Sequence, residues 1–131
     1  MDTRKQLIID LRGDALGIVN HQSSLEEKFQ NQTLRPILKF QNDLFIVVFK
    51  NHISKHKIDF YQSTIDKKLQ FIENTVQKDI EFRNCLKGIV IGLFTIEEYG
   101  VYIQNSSNLN KRMMNMLIER LKNKVQLFEL E

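Results

Sequence analysis

The sequence predicts an all-α fold, a single-domain bundle of about five or six helices over residues 1–131. Three observations support this prediction. Five glycines and one proline are too few for the many turns that a sheet or barrel needs. Apolar residues recur at every third or fourth position, which is the period of a helix. The chain is 42% hydrophobic and 27% charged, a composition typical of one folded domain.

Capping residues and residues that weaken a helix predict where the first helices begin and end. The apolar residues of segment 3–12 support a short helix. Ser24 and Glu27 have the spacing of a capping box, so a second helix is expected to begin there. Polar residues weaken that helix, and Thr33 is predicted to cap a third helix with Pro36 in its first turn.

The third predicted helix runs to about residue 55 and contains a segment, Leu44–Phe49, that is apolar on every side. Since a helix that is apolar all round is enclosed by other groups, we interpret the segment as the central helix or as part of an oligomer interface. A buried β-strand is the alternative, and the helical flanks argue against it. Asn42 falls on the apolar face of this helix, where we expect it to fix register.

The second half of the chain predicts two capped helices, a turn and two helices with apolar stripes. Asp79 is expected to cap a helix over 80–94, and Thr95 and Glu98 form a second capping box for a helix ending near Ile103. A polar turn is expected at 105–108. The helix before Asp79 and the last helix each carry an apolar stripe: Tyr61, Ile65, Leu69, Ile72 and Val76 in the former, and Met114, Leu117, Ile118, Leu121, Val125 and Phe128 in the latter.

A stripe of small residues follows helix 80–94: Cys85, Gly88, Gly92 and Thr95. Each glycine inside a helix costs roughly 1 kcal/mol relative to alanine, so a compensating contact is expected. Small side chains allow another helix to approach closely or leave a groove for a ligand. We favour close packing and keep the groove as the alternative. Cys85 is expected to be a buried, unreactive thiol.

His52 and His56 lie four residues apart, a spacing that can place two imidazoles on one metal ion. A metal site needs a third ligand, and Lys55 is an unfavourable neighbour for a cation. We therefore expect solvated histidines at a helix end, no metal and no cofactor. No catalytic residue is assigned, because adjacent Glu97 and Glu98 diverge by about 100° on a helix.

The last helix carries five basic residues that are possible anion-binding groups: Lys111, Arg112, Arg120, Lys122 and Lys124. At about 100° per residue they fall on both flanks of the apolar stripe and behind it, so no single basic face is predicted. The segment 95–118 also has the order of a helix-turn-helix motif, although polar Asn110 falls where an apolar anchor is expected. A nucleic-acid-binding regulator is therefore one functional alternative.

Two blocks, Thr33–Lys39 (TLRPILK) and Gly92–Tyr99 (GLFTIEEY), resemble a group of short all-helical bacterial proteins of undetermined function. The resemblance covers most of the chain and implies a helical fold. The small residues leave an enzyme or small-molecule binder, with its ligand beside Gly88 and Gly92, as a third alternative. The resemblance also implies an activity of this kind, because some members of the group carry the label glyoxalase. It assigns no site residue.

Bulk properties narrow the expected partners. The net charge of +3 and pI of about 9.0 permit an acidic partner without requiring one. A lone cysteine indicates a reducing compartment, and no apolar stretch approaches the ~20 residues that span a bilayer. We therefore expect a cytoplasmic protein with no membrane partner. The main expectation is a non-enzymatic assembly module, a homodimer formed through helix 80–94 or Leu44–Phe49.

Overall fold

The computed structural model describes residues 3–13, 24–56 and 59–125. The helices are α1 (Thr3–Arg12), α2 (Leu25–Phe29), a π-helix (Gln30–Leu34), α3 (Arg35–Phe40), α4 (Asn42–Lys55), α5 (Ile65–Lys78), α6 (Ile80–Ile91), α7 (Ile96–Gln104) and α8 (Ser106–Asn123). No strand occurs in these residues, so the predicted all-α fold class is confirmed. Over the same ranges, no helix has the length and apolarity needed to cross a bilayer.

α2, the π-helix and α3 form one continuous helical rod, residues 25–40. The Ser24 hydroxyl accepts a hydrogen bond from the Glu27 amide at 3.1 Å, which confirms the predicted start of α2. The predicted cap at Thr33 is wrong, because the helix widens there instead of ending. The Arg35 amide donates to the Gln30 carbonyl five residues back. A wider turn relieves the clash that the ring of Pro36 causes in an ordinary α-helix.

α4 begins after a break at Gln41 (φ −90°, ψ 5°) and buries only one side. Phe45 and Phe49 are buried, whereas Leu44 is 42% and Val47 56% exposed. The interpretation of this segment as a fully enclosed central helix is therefore wrong. The described residues bury one side of α4 and leave Leu44 and Val47 on the other side exposed, so the alternative of an interface remains a prediction.

α5 and α6 are adjacent helices separated by Asp79 alone. The Asp79 side chain accepts from the Phe82 amide at 3.1 Å, which confirms the predicted cap. Along the predicted stripe of α5, Ile72 and Val76 are buried, but Ile65 at the first turn is 62% exposed. α6 ends at Ile91, three residues before the predicted end.

α8 contacts the π-helix, α5, α6 and α7, and it carries the largest share of the core. Its predicted stripe is buried from Met114 to Leu121, and Phe128 lies outside the described residues. The predicted polar turn at 105–108 is shorter than expected. Only Asn105 separates α7 from α8, because the following polar residues already belong to the first turn of α8.

A carboxylate at the start of α7 ties three distant segments together. Glu98 completes the predicted capping box: its carboxylate accepts a hydrogen bond from the Thr95 amide at 2.8 Å, and the Thr95 hydroxyl accepts one from the Glu98 amide. Arg12 of α1 donates to both Glu98 oxygens, at 2.6 and 2.8 Å. The hydroxyl of Thr33 in the π-helix donates to the same carboxylate at 2.7 Å. We call this set of four residues the Glu98 junction.

We expect Glu98→Gln to lower the free energy of unfolding by about 2–4 kcal/mol, because the Arg12 side chain is only 6% exposed and loses its counter-charge. Chemical denaturation monitored by circular dichroism measures the change. Glu97→Gln is the matched control, since Glu97 pairs with Lys5 at the surface and its replacement should leave stability close to that of the parent protein. Equal effects of the two substitutions would contradict the assigned role of the junction.

The same carboxylate predicts a loss of stability in acid. Burial raises the pKa of Glu98, but the hydrogen bonds from Arg12, Thr33 and the Thr95 amide outweigh burial and place its pKa below the ordinary value of 4.5. A depressed pKa stabilises the fold fully above about pH 4.5, and this contribution is lost as the pH falls through the folded-state value. Thermal unfolding measured between pH 7 and pH 3 should show a shallower decline for Glu98→Gln than for the parent.

Candidate functional site: a basic groove beside α8

An open groove of about 1020 Å³ separates the outward face of α8 from the helical rod 25–40. We call it the basic groove. Five cationic side chains line it: Arg35, Lys111, Arg112, Arg120 and Lys124. Among the described lining residues the carboxylates are Glu26 and Glu119, so there positive charge exceeds negative charge by three. Met116 is partly exposed between these charges, whereas Leu38 lies buried beneath the groove.

Four of the five basic residues of the last helix line this groove, although they were predicted to lie on different sides of the helix. Lys122 is the exception, because it pairs with Glu73 of α5 at 3.1 Å. The prediction that no single basic face forms is therefore wrong. The rod stands beside the side of α8 that faces away from the core, so residues behind the apolar stripe and on its flank share one groove. Arg35 of α3, which the sequence analysis missed, completes the set.

Neutral amides orient the arginines of the groove. Each guanidinium donates to an amide oxygen: Arg35 to Asn31 at 2.7 Å, Arg112 to Gln30 at 2.8 Å, and Arg120 to Asn42 at 3.2 Å. An amide oxygen fixes the direction of a guanidinium without cancelling its charge. Within the described residues, none of the five groove cations forms an ion pair with a carboxylate.

The electrostatics of the groove favour an incoming anion. Burial lowers the pKa of Arg120, and the positive charge of Arg35 lowers it further. A guanidinium remains charged at neutral pH despite such a shift, so the repulsion between the two arginines persists. Glu26 lies at the other end of the groove. Its own backbone amide, the Asn105 side chain and the charge of Arg112 lower its pKa, so it stays ionised.

Three of the four predicted small residues, Cys85, Gly88 and Gly92, are exposed rather than covered by another helix. Cys85 is exposed, so the predicted buried thiol is wrong, because α6 buries the neighbouring stripe that includes Leu86. A Cβ added at Gly88 would meet no described atom within 4 Å, and one at Gly92 would meet the Gly88 carbonyl at 3.2 Å. Thr95 is buried and caps α7. Close packing on this stripe stays a prediction, and no described residue of the chain supplies the packing partner at Gly88.

The histidine pair is less solvated than predicted. His52 is 7% exposed, so the expected solvation is wrong for this residue, whereas His56 is exposed. The ring of His52 bonds the Thr75 hydroxyl at 2.8 Å and lies 3.7 Å from a carboxylate oxygen of Asp79. Asp79 was expected only as a helix cap. Because it lies 27 residues after His52, no local sequence pattern predicted that the two side chains would meet.

The segment 95–118 folds as two helices joined more tightly than in a helix-turn-helix motif. That motif needs a connection of three or four residues, whereas Asn105 alone joins α7 to α8. Leu109 and Met113 are buried as expected for anchors. Asn110 accepts a hydrogen bond from the Tyr102 hydroxyl at 2.6 Å, which accounts for a polar residue at this position.

Comparisons with protein-family models, curated proteins and solved structures find no match for this chain. The resemblance carried by Thr33–Lys39 and Gly92–Tyr99 is not tested by them and stays a prediction. Function is therefore inferred from the side chains that the fold brings together.

Proposed function

We propose that the protein binds the phosphate backbone of a nucleic acid in the basic groove, without reading base sequence. The observation that supports this proposal is the set of three arginines oriented by amides in a groove with excess positive charge. Phosphate oxygens accept hydrogen bonds from guanidinium groups in a favourable bidentate geometry. An anion between Arg35 and Arg120 would also relieve their repulsion.

The length of the groove favours a polymer over a small anion. Lys111 lies in α8 and Lys124, thirteen residues later, is its C-cap residue, a separation of roughly 20 Å along a helix axis. A single phosphate would contact only part of this length, whereas a nucleic-acid backbone presents charges along all of it. Among the described lining residues none is aromatic, so the groove offers no platform for stacked bases.

We expect the double variant Arg35→Gln/Lys111→Gln to weaken binding to labelled 20-nucleotide single strands and duplexes. Both residues are exposed, so the fold should be retained. Fluorescence anisotropy between 50 and 200 mM NaCl measures affinity and its salt dependence. If all five cations contact phosphates, the logarithm of the duplex binding constant should fall with a slope of about −4.5 against the logarithm of salt concentration, and each removed contact should reduce the slope by about 1.

Lys122→Gln is the matched control, because Lys122 lies on the same helix but pairs with Glu73 outside the groove. This variant should bind like the parent protein. Equal weakening by Lys122→Gln would show diffuse charge attraction rather than a groove, and binding that does not respond to salt would exclude the proposal.

Self-association is a second candidate function, and the relation between α4 and α6 favours it. The Gln41 side chain donates to the Ile89 carbonyl at 3.5 Å, and the rings of Phe49 and Phe82 are 6.2 Å apart, so the helices run antiparallel as neighbours. Leu44 lies three residues after Gln41, and Cys85 lies four residues before Ile89. Since residues three or four apart share a helix face, both lie beside this line of contact.

The two segments predicted to form an interface therefore contribute to one exposed surface. We call it the α4–α6 face and define it by Leu44, Val47, Cys85, Gly88 and Gly92. It combines exposed apolar side chains with small residues that allow close approach. A second copy of the chain, presenting the same face across a two-fold axis, is the occupant that we propose.

Gly88→Ala should separate folding from association. Alanine replaces glycine inside α6 where no described atom lies near the added Cβ, so we expect the monomer to gain roughly 0.5–1 kcal/mol of stability. If a second copy approaches Gly88 closely, the same substitution should weaken the dimer. Sedimentation velocity over a concentration series, alongside thermal unfolding, measures both effects.

Leu44→Lys is the companion variant, because it places a charge on the α4–α6 face at a position that is already 42% exposed. It should also shift the population toward monomer. A parent protein that remains monomeric at the highest concentration would remove self-association as a function.

A further inference from the structure

The last turn of α4 and the cap of α6 bring three potential metal ligands together. One ligand atom each from His52, His56 and Asp79 can be chosen so that all three lie within 4.8 Å of one another. His52 and His56 are one helical turn apart, and their ring centroids are 4.3 Å apart. Asp79 uses Oδ1 to cap α6, while Oδ2 lies 3.7 Å from Nε2 of His52.

The surroundings hold His52 in place and in the right protonation state for a ligand. Its ring stacks on Phe82 with centroids 4.1 Å apart and an interplanar angle of 21°. Burial lowers the pKa of His52, and the charges of His56 and Lys55 lower it further, against an opposing effect of Asp79. The ring is therefore neutral at neutral pH, and neutral imidazole is the form that coordinates metals.

We propose that His52, His56 and Asp79 bind one divalent transition-metal ion of the Zn²⁺ type, with two imidazole nitrogens, one carboxylate oxygen and an open position for water. Three protein ligands plus water is a common coordination set for Zn²⁺. The single carboxylate supplies the negative charge that offsets Lys55. This site is independent of the basic groove and of the α4–α6 face.

The geometry needs only a local adjustment to reach coordination distances. Ligand atoms at 2.0–2.1 Å from a tetrahedral Zn²⁺ lie about 3.3 Å apart, so the present spread must close by roughly 1.5 Å. His56 is exposed at the C-cap of α4, and its side chain has room to turn. The Thr75 hydroxyl, which contacts Nε2 of His52 at 2.8 Å, is a neutral group that the metal ion would displace.

The expected consequence is a link between the end of α4 and the start of α6. A ligand that binds only the folded state stabilises it in proportion to the logarithm of its concentration over Kd. At a Zn²⁺ concentration a hundredfold above Kd, we expect Tm to rise by ~5–10 °C. This shift is a readout of the site that does not depend on any activity.

The test uses tag-free full-length protein, titrated with ZnCl₂ by calorimetry and with Co²⁺ by absorption spectroscopy. We expect one metal per chain and the rise in Tm. His56→Gln should lower affinity at least tenfold without disturbing the fold, because this residue is exposed. Asp79→Asn should do the same, since asparagine remains a good N-cap. His21→Gln, which removes the third histidine of the sequence, is the matched control and should bind like the parent.

Several outcomes would overturn the proposal. The absence of both heat and a Tm shift would exclude a metal site. Unchanged affinity in His56→Gln would place the metal elsewhere, as would loss of binding in His21→Gln. One metal per two chains, accompanied by dimer formation, would show an intermolecular site instead of the one proposed.

Discussion

The contact between Arg12 and the Glu98 carboxylate is the constraint on which the arrangement of the N-terminal half depends. Arg12 has almost no exposed surface, so it must be paired where it lies. Glu98 in turn caps α7 and binds Thr33, which fixes the π-helix against α7. The two sequence blocks that carry the resemblance, Thr33–Lys39 and Gly92–Tyr99, therefore meet at one hydrogen bond.

The fixed π-helix determines the basic groove as well. Thr33 is buried and turns toward Glu98, whereas Gln30 and Asn31 lie one turn earlier and orient Arg112 and Arg35. The π-helix thus directs Thr33 inward, and Gln30 and Asn31 toward the groove. The two sides differ in the group that accepts hydrogen bonds from the nearby arginines. At the Glu98 junction a carboxylate neutralises the buried guanidinium, while in the groove amides orient the arginines and positive charge stays in excess of the described carboxylates.

Local rules predicted the helices, and long-range contacts account for most differences. Caps at Ser24, Asp79 and Thr95 depend on neighbours within three residues, so they were readable from the sequence. The π-helix was not, because Thr33 has the residue type of a helix cap, while its hydroxyl bonds a carboxylate 65 residues away instead. The groove was missed for a related reason. Helical angles place the basic residues around α8 correctly, but they do not reveal that another helix stands beside its outward face.

Some positions carry a residue that is unfavourable for its local structure. They fall into two groups, according to whether the rest of the fold compensates for the unfavourable residue. Pro36 inside a rod is accommodated by the π-turn, and buried Arg12 is paired with Glu98. Nothing among the described residues offsets Gly88 in the interior of α6, or the mutual repulsion of Arg35 and Arg120. Folded chains tend to retain such residues at functional sites. The uncompensated positions lie on the α4–α6 face and in the basic groove, the two surfaces for which we propose binding partners.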